Sequence, residues 1–207
     1  MTAVVLAESR SWRSRGFTAV LLGFLAAGLS ACGVNNVPRL DEAANAAWSE
    51  VQNQYQRRAD LVPNLVETVR GFARQEQETL TRVIEARAKA TQMTLPANIT
   101  ENPEAFRQFQ ENQTQLSSAL ARLLAVAEAY PELKSNQNFL ALQSQLEGTE
   151  NRIAVARRDY ILAVQNYNTE LRTFPGRLIA AVLYSDAKPK ETFATAPENQ
   201  QAPRVQF

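Results

Sequence analysis

The amino-acid sequence predicts an all-α fold: an antiparallel bundle of three long helices, four if the first breaks at Pro63, with a short C-terminal helix and an extended or disordered tail. Three observations predict it. Between Phe139 and Tyr167, apolar residues recur at Phe139, Leu142, Leu146, Ile153, Ala156, Tyr160, Ala163 and Tyr167, with Thr149 in the one polar slot, so the spacing alternates three and four. A seam of that period lies on one side of a helix and can be buried only against other helices. Glycine is scarce, at seven of 207 residues, while the helix formers Ala, Gln, Glu, Arg and Leu abound. Prolines stand where the periodicity stops, at Pro103, Pro131 and Pro175.

Arg10, Arg13 and Arg15 precede an uncharged apolar run of 13 residues, Phe17–Leu29, followed by Leu29-Ser30-Ala31-Cys32. A basic region, a short apolar run and small residues describe a secretory signal over residues 1–31. The four residues LSAC resemble the bacterial lipobox, which implies cleavage before Cys32 and its modification by fatty chains, palmitate among them. An uncleaved single-pass anchor over residues 16–34 is the alternative, being just long enough to span a bilayer. Either reading exports the domain and leaves it tethered to the bacterial membrane. Loss of residues 1–31 takes away three arginines and one glutamate and leaves a net charge of −1, so no basic patch assists the lipid. Gly33 is not the aspartate that holds many lipoproteins in the inner membrane, which favours the outer membrane, facing the periplasm, in a cell with two membranes.

Residues 32–38 read as a tether, 39–184 as the bundle and 185–207 as the tail. Helix one begins near Leu40 and buries Leu40, Ala44, Trp48, Val51 and Tyr55. Pro63 removes a backbone donor, so a kink or break is expected there. The periodicity resumes with Leu65, Val69, Phe72, Leu80, Val83 and Ile84 and runs to about Thr91. Asn102-Pro103-Glu104 reads as an N-cap, a first-turn proline and a dipole-compensating acid. Helix two then carries Phe106, Phe109, Leu116, Leu120, Leu123 and Tyr130, with Gln113 in an otherwise apolar slot, where a polar residue sets register. Ser135 or Asn136 caps helix three, which stops at Phe174-Pro175-Gly176. A short apolar helix, Leu178 to Tyr184, follows, and the prolines beyond it argue for an extended or disordered tail.

Composition excludes several chemistries. The chain has no histidine, hence no Ser/His/Asp triad, no HExxH zinc site and no Glu-x-x-His di-iron site. Its single cysteine allows no internal disulfide and no thiolate zinc site. A formal charge of +1 gives no reason to propose nucleic acid as partner. No catalytic residue, metal or cofactor is therefore expected.

Trp48-x-x-Val51-x-x-x-Tyr55-x-Arg57-Arg58-x-Asp60-Leu61-Val62-Pro63-Asn64-Leu65-Val66 and Glu147-Gly148-Thr149-Glu150-Asn151-Arg152-Ile153-Ala154-Val155-Ala156-Arg157-Arg158-Asp159-Tyr160 resemble the two signature segments of the LemA family. Tyr167-Asn168, Phe174-Pro175 and the terminal Ala202-Pro203-Arg204-Val205-Gln206-Phe207 fit it too. Ile161, where the family usually has asparagine, and the lipobox are departures. The resemblance implies an exported or membrane-tethered helical bundle with no general reaction assigned. One branch resembles magnetosome membrane proteins, which makes membrane organisation a theme.

Two sets of residues stand out. Arg57, Arg58, Asp60, Glu147, Glu150, Arg152 and Arg157 form polar clusters, read either as charged flanks that set helix register or as a binding site between helices. Ala141, Gly148, Val155 and Leu162 repeat every seven residues on a second side of helix three. They face either the Leu178 to Tyr184 segment or a partner. Gly148 within a helix suggests close backbone approach. The reading that follows is a non-enzymatic scaffold or adaptor in the cell envelope, bound to the membrane through Cys32 and to an unidentified envelope protein or to itself. A protein that self-assembles on lipid and remodels it is the second reading. A hydrolase pairing Glu67 or Glu85 with Glu147 or Glu150 is the third.

Overall fold

The computed structural model describes residues 33–93 and 96–193. The signal segment, Cys32, Leu95 and the terminal motif at 202–207 lie outside them. The elements are helices α1 (Asn36–Phe72), α2 (Gln77–Gln92), α3 (Pro103–Ala127), α4 (Pro131–Lys134), α5 (Gln137–Arg172) and α6 (Gly176–Leu183), with a 3₁₀ turn at Ile99–Glu101. No strand occurs among the described residues. The chain divides into two units, Leu40–Asn168 with Lys188–Phe207, and Met1–Arg39 with Thr169–Ala187.

Helix one differs from expectation at three points. It starts at Asn36, four residues earlier than expected, because Pro38 falls in the first turn, where amide donors have no intrahelical acceptor anyway. It runs unbroken through Pro63, and the chain turns instead at residues 73–76. The residues buried around that turn are Val66, Val69, Ala73, Leu80, Val83 and Ala86, whereas Phe72 and Ile84 are exposed. At the turn it is Ala73 that is fully buried, not Phe72.

The other helix boundaries have local causes. The Asn102 side chain accepts from the amides of Glu104 and Ala105, both at 3.1 Å, and opens α3. Asn136 accepts from the amide of Phe139 at 3.1 Å and opens α5. Pro131 starts the four-residue α4 between them. On α5 the buried seam is Phe139, Leu146, Thr149, Ile153, Ala156, Tyr160, Val164 and Tyr167, with Val164 taking the place expected for Ala163. By Tyr160, about six turns from Phe139, a 3.6-residue helix has drifted from a 3.5 repeat, which carries the next residue inward.

Side-chain pairs give the topology of the larger unit. Trp48 meets Phe106 with ring centroids 5.5 Å apart, and Tyr55 meets Phe109 at 5.5 Å, so α1 and α3 run in the same direction. Trp48 also meets Tyr160 at 5.3 Å, while Arg58 reaches back to Glu150, so α5 runs against α1. Arg87 reaches Ala59 across the turn at 73–76, so α2 is antiparallel to α1. The result is an up-down-up-down four-helix bundle. Its core has two parts. An aliphatic cluster includes Leu65, Leu80, Leu116, Leu123 and Leu146, and an aromatic one is built on Trp48, Tyr55, Phe106, Phe109, Tyr160 and Phe193.

Residues 188–193 belong to the stretch expected to be extended or disordered, and they are non-helical. They form an irregular but buried strap in which Lys190 and Phe193 are both inside. The Glu191 amide donates to the Thr100 carbonyl at 2.6 Å, and the Tyr160 hydroxyl donates to the Glu191 carbonyl at 2.8 Å.

In the smaller unit, α6 packs through Gly176 and Ala180. A Cβ on Gly176 would lie 2.4 Å from the Glu170 carbonyl oxygen, so only glycine permits this approach.

Candidate functional site

Arg58 sits in the three-four register of Tyr55 and Val62 and is therefore carried inward by the seam of α1, with 1% of its surface exposed. Gln113 occupies the matching slot of α3 between Phe109 and Leu116, and Thr149 that of α5 between Leu146 and Ile153. Together they form a polar layer between the aliphatic and aromatic clusters. Arg58 Nη1 donates to Ser117 Oγ at 2.7 Å and to Glu150 Oε1 at 3.0 Å. Its Nη2 donates to Gln113 Oε1 at 2.7 Å and to the Gln113 carbonyl at 3.2 Å, and the guanidinium lies 5.0 Å from the Tyr55 ring centroid. Arg58 Nε is buried without a partner. Burial pushes the Tyr55 hydroxyl pKa up, against the opposing pull of Arg157 and Arg58.

Within the expected polar set, the fold brings Arg58 and Glu150 together, with Arg157 beside Tyr55 and stacked 4.4 Å over the Phe193 ring. It does not bring the others in. Arg57 and Arg152 are exposed. Asp60 takes a bond from Gln56, and Glu147 one from Gln143, each within its own helix. Glu67 pairs with Arg70 one turn away, and Glu85 is exposed.

A second buried cation lies at the end of the bundle where the strap enters. Lys190 Nζ is 3.0 Å from Asp41 Oδ1, 3.8 Å from Glu101 Oε1 and 5.4 Å from the Tyr167 ring centroid. Asn168 grips the same residue's backbone, accepting from its amide and donating to its carbonyl, both at 2.9 Å. Burial first, then Asp41 and Glu101, push the Tyr167 hydroxyl up to about 12. The Tyr160 hydroxyl is raised as well, by burial and then Glu191. Sequence reasoning missed Lys190, Asp41 and Glu101. Tyr167-Asn168 was the one available signal, because nothing in a lysine beside a proline marks it as buried.

The remaining ion pairs among the described residues are local, between residues no more than six positions apart. A groove of about 310 Å³ between α2 and α3, lined by Arg82, Glu85, Lys89 and Arg122, touches neither buried cation. No group of three or more His, Cys, Asp or Glu residues that would hold a metal occurs among the described residues. In the second apolar stripe, Val155 and Leu162 are 49% and 51% exposed and Ala141 is exposed, so the stripe is open rather than covered. A Cβ on Gly148 would meet nothing within 4 Å, which corrects the expected close approach.

Both cations cross-link segments distant in sequence and are enclosed by their own acceptors, which defines a helical bundle with structural rather than solvent-facing polar centres. The description of the LemA family matches residues 47–207, and the chain belongs to that family. It is similar to the magnetosome proteins MamQ 1 and MamQ 2 of Paramagnetospirillum magneticum, each 37% identical over 65 residues. That stretch is 31% of this chain and 24% of theirs. It is also similar to protein LemA of Metamycoplasma hominis, 24% identical over 149 residues, 72% of this chain and 64% of that one. The chain thus spans about a quarter of the magnetosome proteins and just under two thirds of the mycoplasma protein.

Proposed function

We propose that this protein is a membrane-tethered, exported helical bundle of the bacterial cell envelope that acts as a non-enzymatic scaffold or adaptor. The observation that carries this reading is the division of labour among its side chains. The two buried cations, Arg58 and Lys190, are occupied in joining segments distant in sequence, while apolar side chains on α5, Val155 and Leu162, stay in solvent. A face of that kind suits a protein partner in the envelope or a second copy. The tether is Cys32, lipid-modified after removal of residues 1–31, and the sequence around it supports this. No helix among the described residues is long and apolar enough to cross a membrane.

Labelling cells with a palmitate analogue tests the tether, with Cys32→Ser expected to abolish both label and membrane retention. Photoreactive residues at Val155 and Leu162 test the partner face. The reading predicts one discrete crosslinked species at both positions and none from exposed Ala125 on α3. A purified protein that turned over a substrate, and lost that turnover on Glu147→Gln, would overturn the non-enzymatic assignment.

The similarity to magnetosome proteins favours a second reading, in which the protein self-assembles on lipid and organises the membrane. Vesicles carrying the protein discriminate the two, since a scaffold leaves their shape unchanged.

A further inference from the structure

In the smaller unit, α6 is apolar on both sides, and only one side is used. Gly176 and Ala180 face inward. On α6, Leu178 and Val182, four apart, are 58% and 78% exposed and Leu183 at its end is 57% exposed, while Phe174, just before the helix, is 81% exposed. We propose that this face of α6 lies in the headgroup and acyl boundary of the membrane that holds the N-terminus, a contact that rests on the tether proposed above.

The position of the chain's entry point argues for lipid as the occupant. A Cβ on Gly33 would lie 3.4 Å from Ile179 Cδ1 and 3.9 Å from Pro175 Cγ, so Gly33 abuts α6. Cys32 is the preceding residue, one step of about 3.8 Å along the chain. A lipid on that cysteine brings the bilayer surface to α6 without any intervening linker. Arg177, exposed on α6 itself, suits an anionic headgroup. A short apolar helix lying flat beside a lipid anchor supplies the second attachment that a tether needs to fix orientation as well as location.

The test uses the mature chain, residues 32–207 acylated at Cys32, in vesicles of phosphatidylethanolamine and phosphatidylglycerol, where Trp48 is the one tryptophan and the constant background. Val182→Trp and Leu178→Trp report on α6, and Ala125→Trp is the control on exposed α3. With brominated lipids, the two α6 reporters are expected to be quenched severalfold more than the control and to emit at shorter wavelength. Protein that floats with the vesicles while all three reporters respond alike overturns the α6 contact and leaves the tether standing. Blue-shifted α6 emission without bromine quenching also overturns it, because the face is then covered by protein. Protein that fails to float overturns the tether itself and the α6 contact with it.

Discussion

Arg87 Nε donates to the carbonyl of Ala59 at 2.8 Å, and that carbonyl is the one Pro63 leaves without an amide donor four residues later. A proline inside a helix normally orphans such an acceptor, and Ala59 is buried, so water does not supply the missing bond. The guanidinium from α2 does, and α1 continues through the proline.

The two residues should therefore be coupled. Arg87→Ala alone is expected to destabilise the protein by about 1–3 kcal/mol, the range for a buried acceptor left unsatisfied. In a Pro63→Ala background, where residue 63 can donate, the same change is expected to cost at least about 1 kcal/mol less. Urea unfolding of the four proteins measures the coupling, and additivity would show that the bond does not compensate the proline.

How much of this was legible in the sequence follows from the same residues. Pro63 was visible, but its consequence was not, since the donor that rescues the helix lies 24 positions away and belongs to no local pattern. The seam of α5 and the caps at Asn102 and Asn136 were legible because period and capping are local properties. Gln113 betrayed itself by occupying a seam slot, whereas Arg58 was read only as a member of a polar cluster. Lys190 did not, because an irregular strap has no period against which a misplaced charge stands out. The break at 73–76 was missed for a related reason: no proline marks it, and it follows from how closely two helices pack.

The polar layer predicts unequal costs. Arg58→Ala leaves Gln113 Oε1 without its donor in the interior and is expected to cost about 3 kcal/mol or more. Glu150 is 42% exposed, so Glu150→Ala should cost less, about 1–2 kcal/mol, as water replaces part of the lost partner. Replacing the layer with apolar residues, Arg58→Met with Gln113→Leu and Glu150→Leu, is expected to retain stability but to broaden amide NMR resonances, because nothing then fixes the helices in register. Sharp spectra from the triple variant would remove the register role.

The strap predicts a local opening. Phe193 fills the aromatic cluster, with its centroid 5.1 Å from that of Phe106 and 5.7 Å from that of Tyr160. Phe193→Ala should loosen residues 188–193 before the bundle unfolds, since the strap's attachments are few and at one end. Tryptic cleavage after Lys190 is expected to accelerate at least tenfold, equivalent to about 1.4 kcal/mol of opening free energy. In a Trp12→Phe background, Trp48 emission should shift to longer wavelength over the same change. Unaltered cleavage would mean that Lys190 and Asn168 hold the strap without the aromatic anchor.

Alkaline titration probes the Tyr167 site directly. Its hydroxyl, pushed up to about 12 mainly by burial and then by Asp41 and Glu101, keeps its proton in the folded chain where an unfolded tyrosine, near 10, has lost it. The unfolded state then binds fewer protons, so stability is constant below about pH 10 and falls as pH rises toward 12, by about 1.4 kcal/mol per unit for this one group. Tyr160, raised in the same direction by burial, adds a second contribution with the same sign. Tyr167→Phe should remove one proton's worth of that slope, although it also loses the bond to Asp41. The phenolate absorbance lost on making Tyr167→Phe isolates this residue's own titration, expected to centre near 12. A midpoint near 10 would place the hydroxyl in water and dissolve the cluster of Asp41, Glu101 and Lys190 as a closed site.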